Sequence, residues 1–112
     1  MDRRVDLLQG TLDLLILKAV TWGPMHGFEI SRWIRQTTNH ALEIEEGALY
    51  PALHRMERRG WLEADWAMTE NRRRAKYYQL TRLGREQLKI QDSEWRRYVA
   101  VVGKVAAAAK AV

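Results

Sequence analysis

Apolar positions recur at helical spacing three times before the pattern changes. In Leu7–Thr21, "LLQGTLDLLILKAVT", Leu8, Leu12, Leu15 and Ile16 share one face and Leu14 and Leu17 flank it. A helix apolar on most of its surface is buried on more than one side, and Trp22-Gly23-Pro24 ends it. A second helix is predicted from about His26 to Thr37, with Ile30, Trp33, Ile34 and Thr37 inward and Phe28 near its start. Thr38–Ala41 is a polar connection. The third is "EEGALYPALHRMERRG", where Leu49, Leu53 and Met56 define one buried face and Gly60 is the stop.

Beyond Gly60 the period becomes two. Leu62, Ala64 and Trp66 alternate with Trp61, Glu63 and Asp65, which predicts a strand. Thr69–Arg74 is a polar loop, and "KYYQL", Lys76–Leu80, is the returning strand. Thr81 caps a last helix that runs to the C-terminus. The expected fold is mainly α with a small β-hairpin. Residues 1–80 form a winged helix-turn-helix, and residues 81–112 form a long C-terminal dimerisation helix.

At 112 residues the chain suits one compact domain. Apolar residues make up 46% and charged residues 29%, so a core is available. A net charge of +5 and a pI near 9.9 favour a polyanionic partner, nucleic acid first and an anionic membrane surface second. The absence of cysteine excludes disulfides, thiolate metal sites and cysteine nucleophiles. No run approaches the ~20 apolar residues of a membrane span, and no signal peptide is evident, so a cytoplasmic protein without membrane contact is expected.

The third helix carries the first candidate chemistry. With its apolar face turned inward, Ala48, Tyr50, Pro51, His54, Arg55 and Arg58 point outward. In a helix-turn-helix such a face enters the DNA major groove. Ala48 allows close approach, Tyr50 and His54 offer hydrogen bonds, and the arginines displace counterions. Pro51 lies within or just beyond the first turn, where it costs little and stiffens the chain. The second candidate is "ENRRRAKYY": Arg72, Arg73, Arg74 and Lys76, followed by Tyr77, place a dense cationic tip on the hairpin. Their mutual repulsion is relieved by a phosphate backbone.

In the last helix Leu88, Trp95, Val102 and Ala109 repeat every seven residues, and Gln91, Tyr98, Val105 and Val112 follow the same period offset by three. Counted from Arg82, this helix is about 45 Å long at 1.5 Å per residue and overhangs its domain. A second copy is the expected cover, alongside packing of the same helix onto the first helix. Leu88, Gln91, Trp95, Tyr98, Val102 and Val105 are therefore the candidate dimerisation residues. Trp95 is read first as packing; two symmetry-related indoles would also flank a slot for a flat aromatic molecule.

The segments "GTLDLLIL", "WGPMHGFEI", "EEGALYPALHRMERRGWLEADW", "NRRRAKYYQLTRLG" and "EWRRY" resemble, in order and spacing, the PadR family of bacterial transcription regulators, in its short subfamily with one C-terminal helix. The resemblance covers Gly10 to about Val102. It implies a winged-helix homodimer that represses transcription from a palindromic DNA operator until a small, often aromatic effector releases it. By position it assigns Tyr50 and its neighbours to the recognition helix, and Arg74, Lys76 and Tyr77 to the wing. It places Trp95 where some relatives hold an aromatic at the dimer interface.

An enzyme finds little support. His26, His40 and His54 are scattered, and His26 at a helix start reads as a cap or packing residue. Glu43, Glu45 and Glu46 precede a helix N-terminus, where the dipole favours acids. No cofactor or metal is expected. The rival reading is a winged-helix protein-interaction module without DNA binding; the basic wing argues against it.

Overall fold

The computed structural model describes residues 4–8 and 10–109. The elements in order are α1 (Leu12–Ala19) with a 3-10 turn (Val20–Trp22), β1 (Met25–His26), α2 (Gly27–Thr37), α3 (Glu46–Arg58), β2 (Leu62–Met68), β3 (Arg74–Leu80) and α4 (Arg82–Ala106).

α1 starts five residues later than the apolar run suggests. Gly10 takes a left-handed φ of +88°, which interrupts any helix arriving from Leu7. Residues 4–8 belong to no helix or strand, and the Val5 amide donates to the Ala41 carbonyl at 2.8 Å. α2 opens with a capping box. His26 Nδ1 accepts from the Glu29 amide at 3.3 Å, and Glu29 Oε1 accepts from the His26 amide at 3.1 Å. Asn39 and His40, both at positive φ, turn the chain out of α2.

α3 ends as its glycine predicts. Gly60 sits at φ +78°, its amide bonds to the Glu57 carbonyl, and the Trp61 amide reaches back to Met56. That pair of bonds satisfies two carbonyls the helix would otherwise leave open. Pro51 lies five residues beyond Glu46, past the free amides of the first turn, so it deletes one helical bond, the one to the Gly47 carbonyl. Gly47 and Pro51 are both exposed, and solvent can satisfy that carbonyl.

The sheet has three antiparallel strands in the order β1-β3-β2, not the two of a simple hairpin. β1 contributes only Met25 and His26, opposite Tyr78 and Tyr77, and two residues are too few for an alternation to register in sequence. β2 and β3 pair from Leu62↔Leu80 to Met68↔Arg74, so Arg74 belongs to the strand and the connecting turn contracts to 69–73. Thr69 closes that turn, accepting from the Arg73 amide through its hydroxyl and donating its own amide to the Arg73 carbonyl.

One core joins these elements: Ile16, Leu17 and Val20 from α1 and its turn; Ile30 and Ile34 from α2; Leu49, Leu53 and Met56 from α3; Leu62, Tyr78 and Leu80 from the sheet. Burying each large apolar side chain contributes about 1.5–3 kcal/mol.

α4 is joined to this unit at a tight junction. The Thr81 amide donates to the Trp61 carbonyl at 3.1 Å, and Thr81 Oγ1 accepts from the Gly84 amide at 3.0 Å. A Cβ on Gly84 would stand 2.0 Å from the Trp61 carbonyl oxygen, so only glycine permits this approach. The first half of α4 packs along α1, where Leu88 is partly buried against the core. The second half extends away and exposes Tyr98, Val99, Val101, Val102 and Val105. α4 spans about 37 Å at 1.5 Å per residue and stops at Ala106, short of the expected run to the C-terminus. Ala109 lies past it, and Val112 is outside the described residues.

Candidate nucleic-acid interface

The outward face of α3 and the inner face of the wing border one open groove of about 790 Å³. Tyr50 and His54 line it from α3; Arg73, Arg74, Lys76 and Tyr77 line it from the wing. Six of the ten sequence-predicted DNA-contacting residues therefore share one concavity. Ala48, Pro51, Arg55 and Arg58 do not line it. Ala48, Pro51 and Arg58 are exposed elsewhere on α3. The Arg55 guanidinium is ion-paired to the Asp13 carboxylate of α1, which ties α3 to the scaffold.

Lys76 is also engaged within the chain. Its ammonium donates to Glu57 Oε1 at 2.7 Å and lies 5.6 Å from the centre of the Tyr78 ring. The hydrogen bond to Glu57 holds the Lys76 pKa above its ordinary value, against the opposing effect of desolvation. Burial is the main cause that raises the Tyr78 phenol, with Lys76 opposing it. The pair is partly exposed, and such bridges contribute about 0–1 kcal/mol. Its greater consequence is geometric: the β3 cation that lines the groove is braced against α3.

The groove has a third wall that the sequence pattern did not reveal, the start of α2. Phe28 is exposed there, with the Arg32 guanidinium 5.6 Å from its ring centre. Across the groove Trp66 of β2 is exposed, with the Arg74 guanidinium 5.2 Å from its ring. Each aromatic face orients an arginine that would otherwise sample many rotamers. Signals for both were present. Phe28 falls outside the Ile30–Trp33–Ile34 stripe, with Arg32 on its own face four residues on. Trp66 continues the Leu62–Ala64 face of β2 past the end of the core. The groove's cations are Arg32, Arg73, Arg74 and Lys76, against the carboxylates Glu29 and Glu70. Glu29 is already committed to the α2 cap.

The predicted dimerisation residues gather on α4 but divide among three environments. Leu88 is covered by the chain's own core. Gln91, Trp95 and Tyr98 line a hollow of about 650 Å³ between α4 and the α1 side, bordered by Leu8, Thr11 and Leu14. Trp95 stacks on Tyr98 with ring centres 6.2 Å apart, and Gln91 Oε1 is buried there with no hydrogen-bond partner among the described residues. Val102 and Val105 are exposed. Among the described residues no cluster of His, Cys, Asp and Glu could hold a metal ion, and no helix is long and apolar enough to cross a membrane.

Three helices, a β-hairpin with a short third strand, and a basic wing beside the third helix define a winged helix-turn-helix. The sequence profile of the transcriptional regulator PadR-like family matches residues 16–90, and the chain belongs to that family. A transcriptional regulator from Clostridium thermocellum superposes with a TM-score of 0.80 at 32% identity, over 89% of this chain and 97% of the other. A PadR family regulator from Clostridium difficile gives 0.75 at 29%, over 87% and 99%. An uncharacterised protein of Lysinibacillus sphaericus is 31% identical over 88% of this chain and 91% of its own length. The family consists of DNA-binding transcriptional regulators, not enzymes.

Proposed function

We propose that the chain is a cytoplasmic homodimeric repressor that reads a palindromic operator and is released by a small aromatic effector. Residues 1–80 supply the reading head, and residues 81–112 join two copies through α4. α3 enters the major groove, and the wing reaches the neighbouring phosphates or the minor groove. The observation that carries this reading is the shared groove, with Tyr50 and His54 on one wall and Arg73, Arg74 and Lys76 on another. Two heads on a two-fold axis require half-sites about 10 bp apart, or a multiple of that. The effector would occupy the hollow beside Trp95, where an amide oxygen with no partner among the described residues and stacked aromatic rings suit a flat ligand carrying a hydrogen-bond donor.

Selection of duplexes from a randomised pool tests the first part. Wild type is expected to enrich a palindrome. Replacing Arg73 and Arg74 with alanine should weaken binding to all duplexes and flatten the salt dependence by about one unit for each phosphate no longer neutralised. Enrichment of no sequence overturns it. For the effector, quenching of Trp95 fluorescence by phenolic compounds, read against a Trp95→Phe control, should coincide with DNA release.

A further inference from the structure

We infer that Gly27 is a positioning residue for Tyr50, and that it thereby sets how the α3 reading face meets DNA bases; this rests on the DNA-reading role proposed for α3. Gly27 is the first residue of α2 and is buried. Its φ lies outside the left-handed range, so backbone conformation does not demand glycine, and alanine is the better helix former. The three atoms nearest to such a side chain all belong to one residue, Tyr50. A Cβ at Gly27 would stand 2.7 Å from Tyr50 Cε1, 2.8 Å from its hydroxyl oxygen and 2.9 Å from Cζ. Separations that short do not persist, and the element that can yield is the end of the tyrosine side chain. The cost of a methyl group therefore falls on where the Tyr50 ring lies.

The seat itself is held from two sides. The His26–Glu29 capping box fixes the first turn of α2. The pairing of His26 with Tyr77, whose rings also meet edge to face at 5.2 Å, ties that turn to β3. Gly27 therefore links the wing strand to a ring on the recognition helix. It also brings together two sequence segments, "MHGFEI" and "ALYP", whose proximity spacing alone did not reveal.

The test uses the full chain and the duplexes that wild type enriches from a random pool. Gly27→Ala is expected to lower affinity for the enriched duplex roughly tenfold, the scale of one mismatched base pair, while affinity for random duplex and its salt slope stay unchanged. Tyr50→Ala should show a comparable loss, and adding Gly27→Ala to Tyr50→Ala should cost nothing further. Wild-type preference in Gly27→Ala overturns the inference, as does an equal added loss in the Tyr50→Ala background. If Gly27→Ala does not fold, the double variant decides. Removing the ring makes room for the methyl group, so a folded double variant supports the seat and an unfolded one overturns it. Enrichment of no duplex by wild type instead overturns the DNA-reading role of α3 and this inference with it.

Discussion

α3 and α4 are both amphipathic, yet a single chain completes only one of them. α3 has 13 residues and buries Leu49, Ala52, Leu53 and Met56 against its own domain; its outward face is aromatic and cationic. α4 has 25 residues, and only Gly84 is fully buried. Its second half leaves Tyr98, Val99, Val101, Val102 and Val105 exposed. The lesson is a division of labour. A helix anchored within the chain can devote its free face to a ligand, whereas a helix that outruns its domain leaves an apolar face open to another surface.

The strongest way to break the contrast is to attack the anchored face. Leu53→Ala removes a fully buried side chain and should cost about 2–5 kcal/mol, read from denaturant unfolding. Val105→Ala, on the exposed part of α4, should change the stability of the winged helix by less than about 0.5 kcal/mol when both proteins are diluted below the dimer dissociation range. Comparable losses for the two would mean that the outer half of α4 is part of the same core.

The next test addresses α4 itself. Val102→Glu places a carboxylate on the proposed two-fold seam, where an unpaired buried charge costs about 3 kcal/mol or more. Sedimentation should show the dimer weakened by more than about 100-fold, since each dimer carries two such charges, with the far-ultraviolet circular dichroism of the folded protein retained. A wild type that stays monomeric at tens of micromolar would remove the dimer, and the predicted operator spacing with it.

The winged-helix core was legible because it rests on local rules. Leu49, Leu53 and Met56 announced the α3 face, Gly60 its end, and Thr81 the start of α4. What the sequence concealed depends on partners far along the chain. β1 exists only because Met25 and His26 meet Tyr78 and Tyr77. Arg55 and Lys76 look like free cations in sequence, yet one is tied to Asp13, 42 residues away, and the other to Glu57, 19 residues away. The apolar run begins at Leu7, ahead of Gly10, whose left-handed φ starts α1 later. The third wall of the groove was missed for a related reason: the α2 stripe identified what is inward, and Phe28 and Arg32 lie outside it.

A smaller effect sharpens the groove side of the comparison. If Trp66 orients Arg74, then Trp66→Leu, which keeps apolar area but removes the aromatic face, should weaken DNA binding about 2–5-fold, the scale of an exposed cation–π contact. The charge remains, so the salt slope should hold. Arg74→Ala should weaken binding more and also reduce the slope by about one. A slope that falls equally in both variants would show that Trp66 acts otherwise than through the guanidinium.

The smallest expected effect concerns pH, and it isolates the brace between β3 and α3. Lys76 has its pKa raised above the ordinary 10.5, chiefly by its hydrogen bond to Glu57. A lysine raised in the folded state binds its proton more tightly there, so the stabilisation is fully present below about pH 10.5 and is lost as pH climbs through the folded value. Tyr78, raised above 10.0 chiefly by burial, acts in the same direction, because the unfolded chain ionises first at high pH. Between pH 6 and 9 neither group should tilt the stability curve. Above about pH 10 stability should fall, and Tyr78→Phe should make that fall shallower while leaving the lysine contribution in place. Urea midpoints measured from pH 8 to 11 on both proteins check this. An alkaline limb equally steep in the variant would mean that the Tyr78 phenol does not ionise within the unfolding transition, and that the brace between β3 and α3 titrates through Lys76 alone.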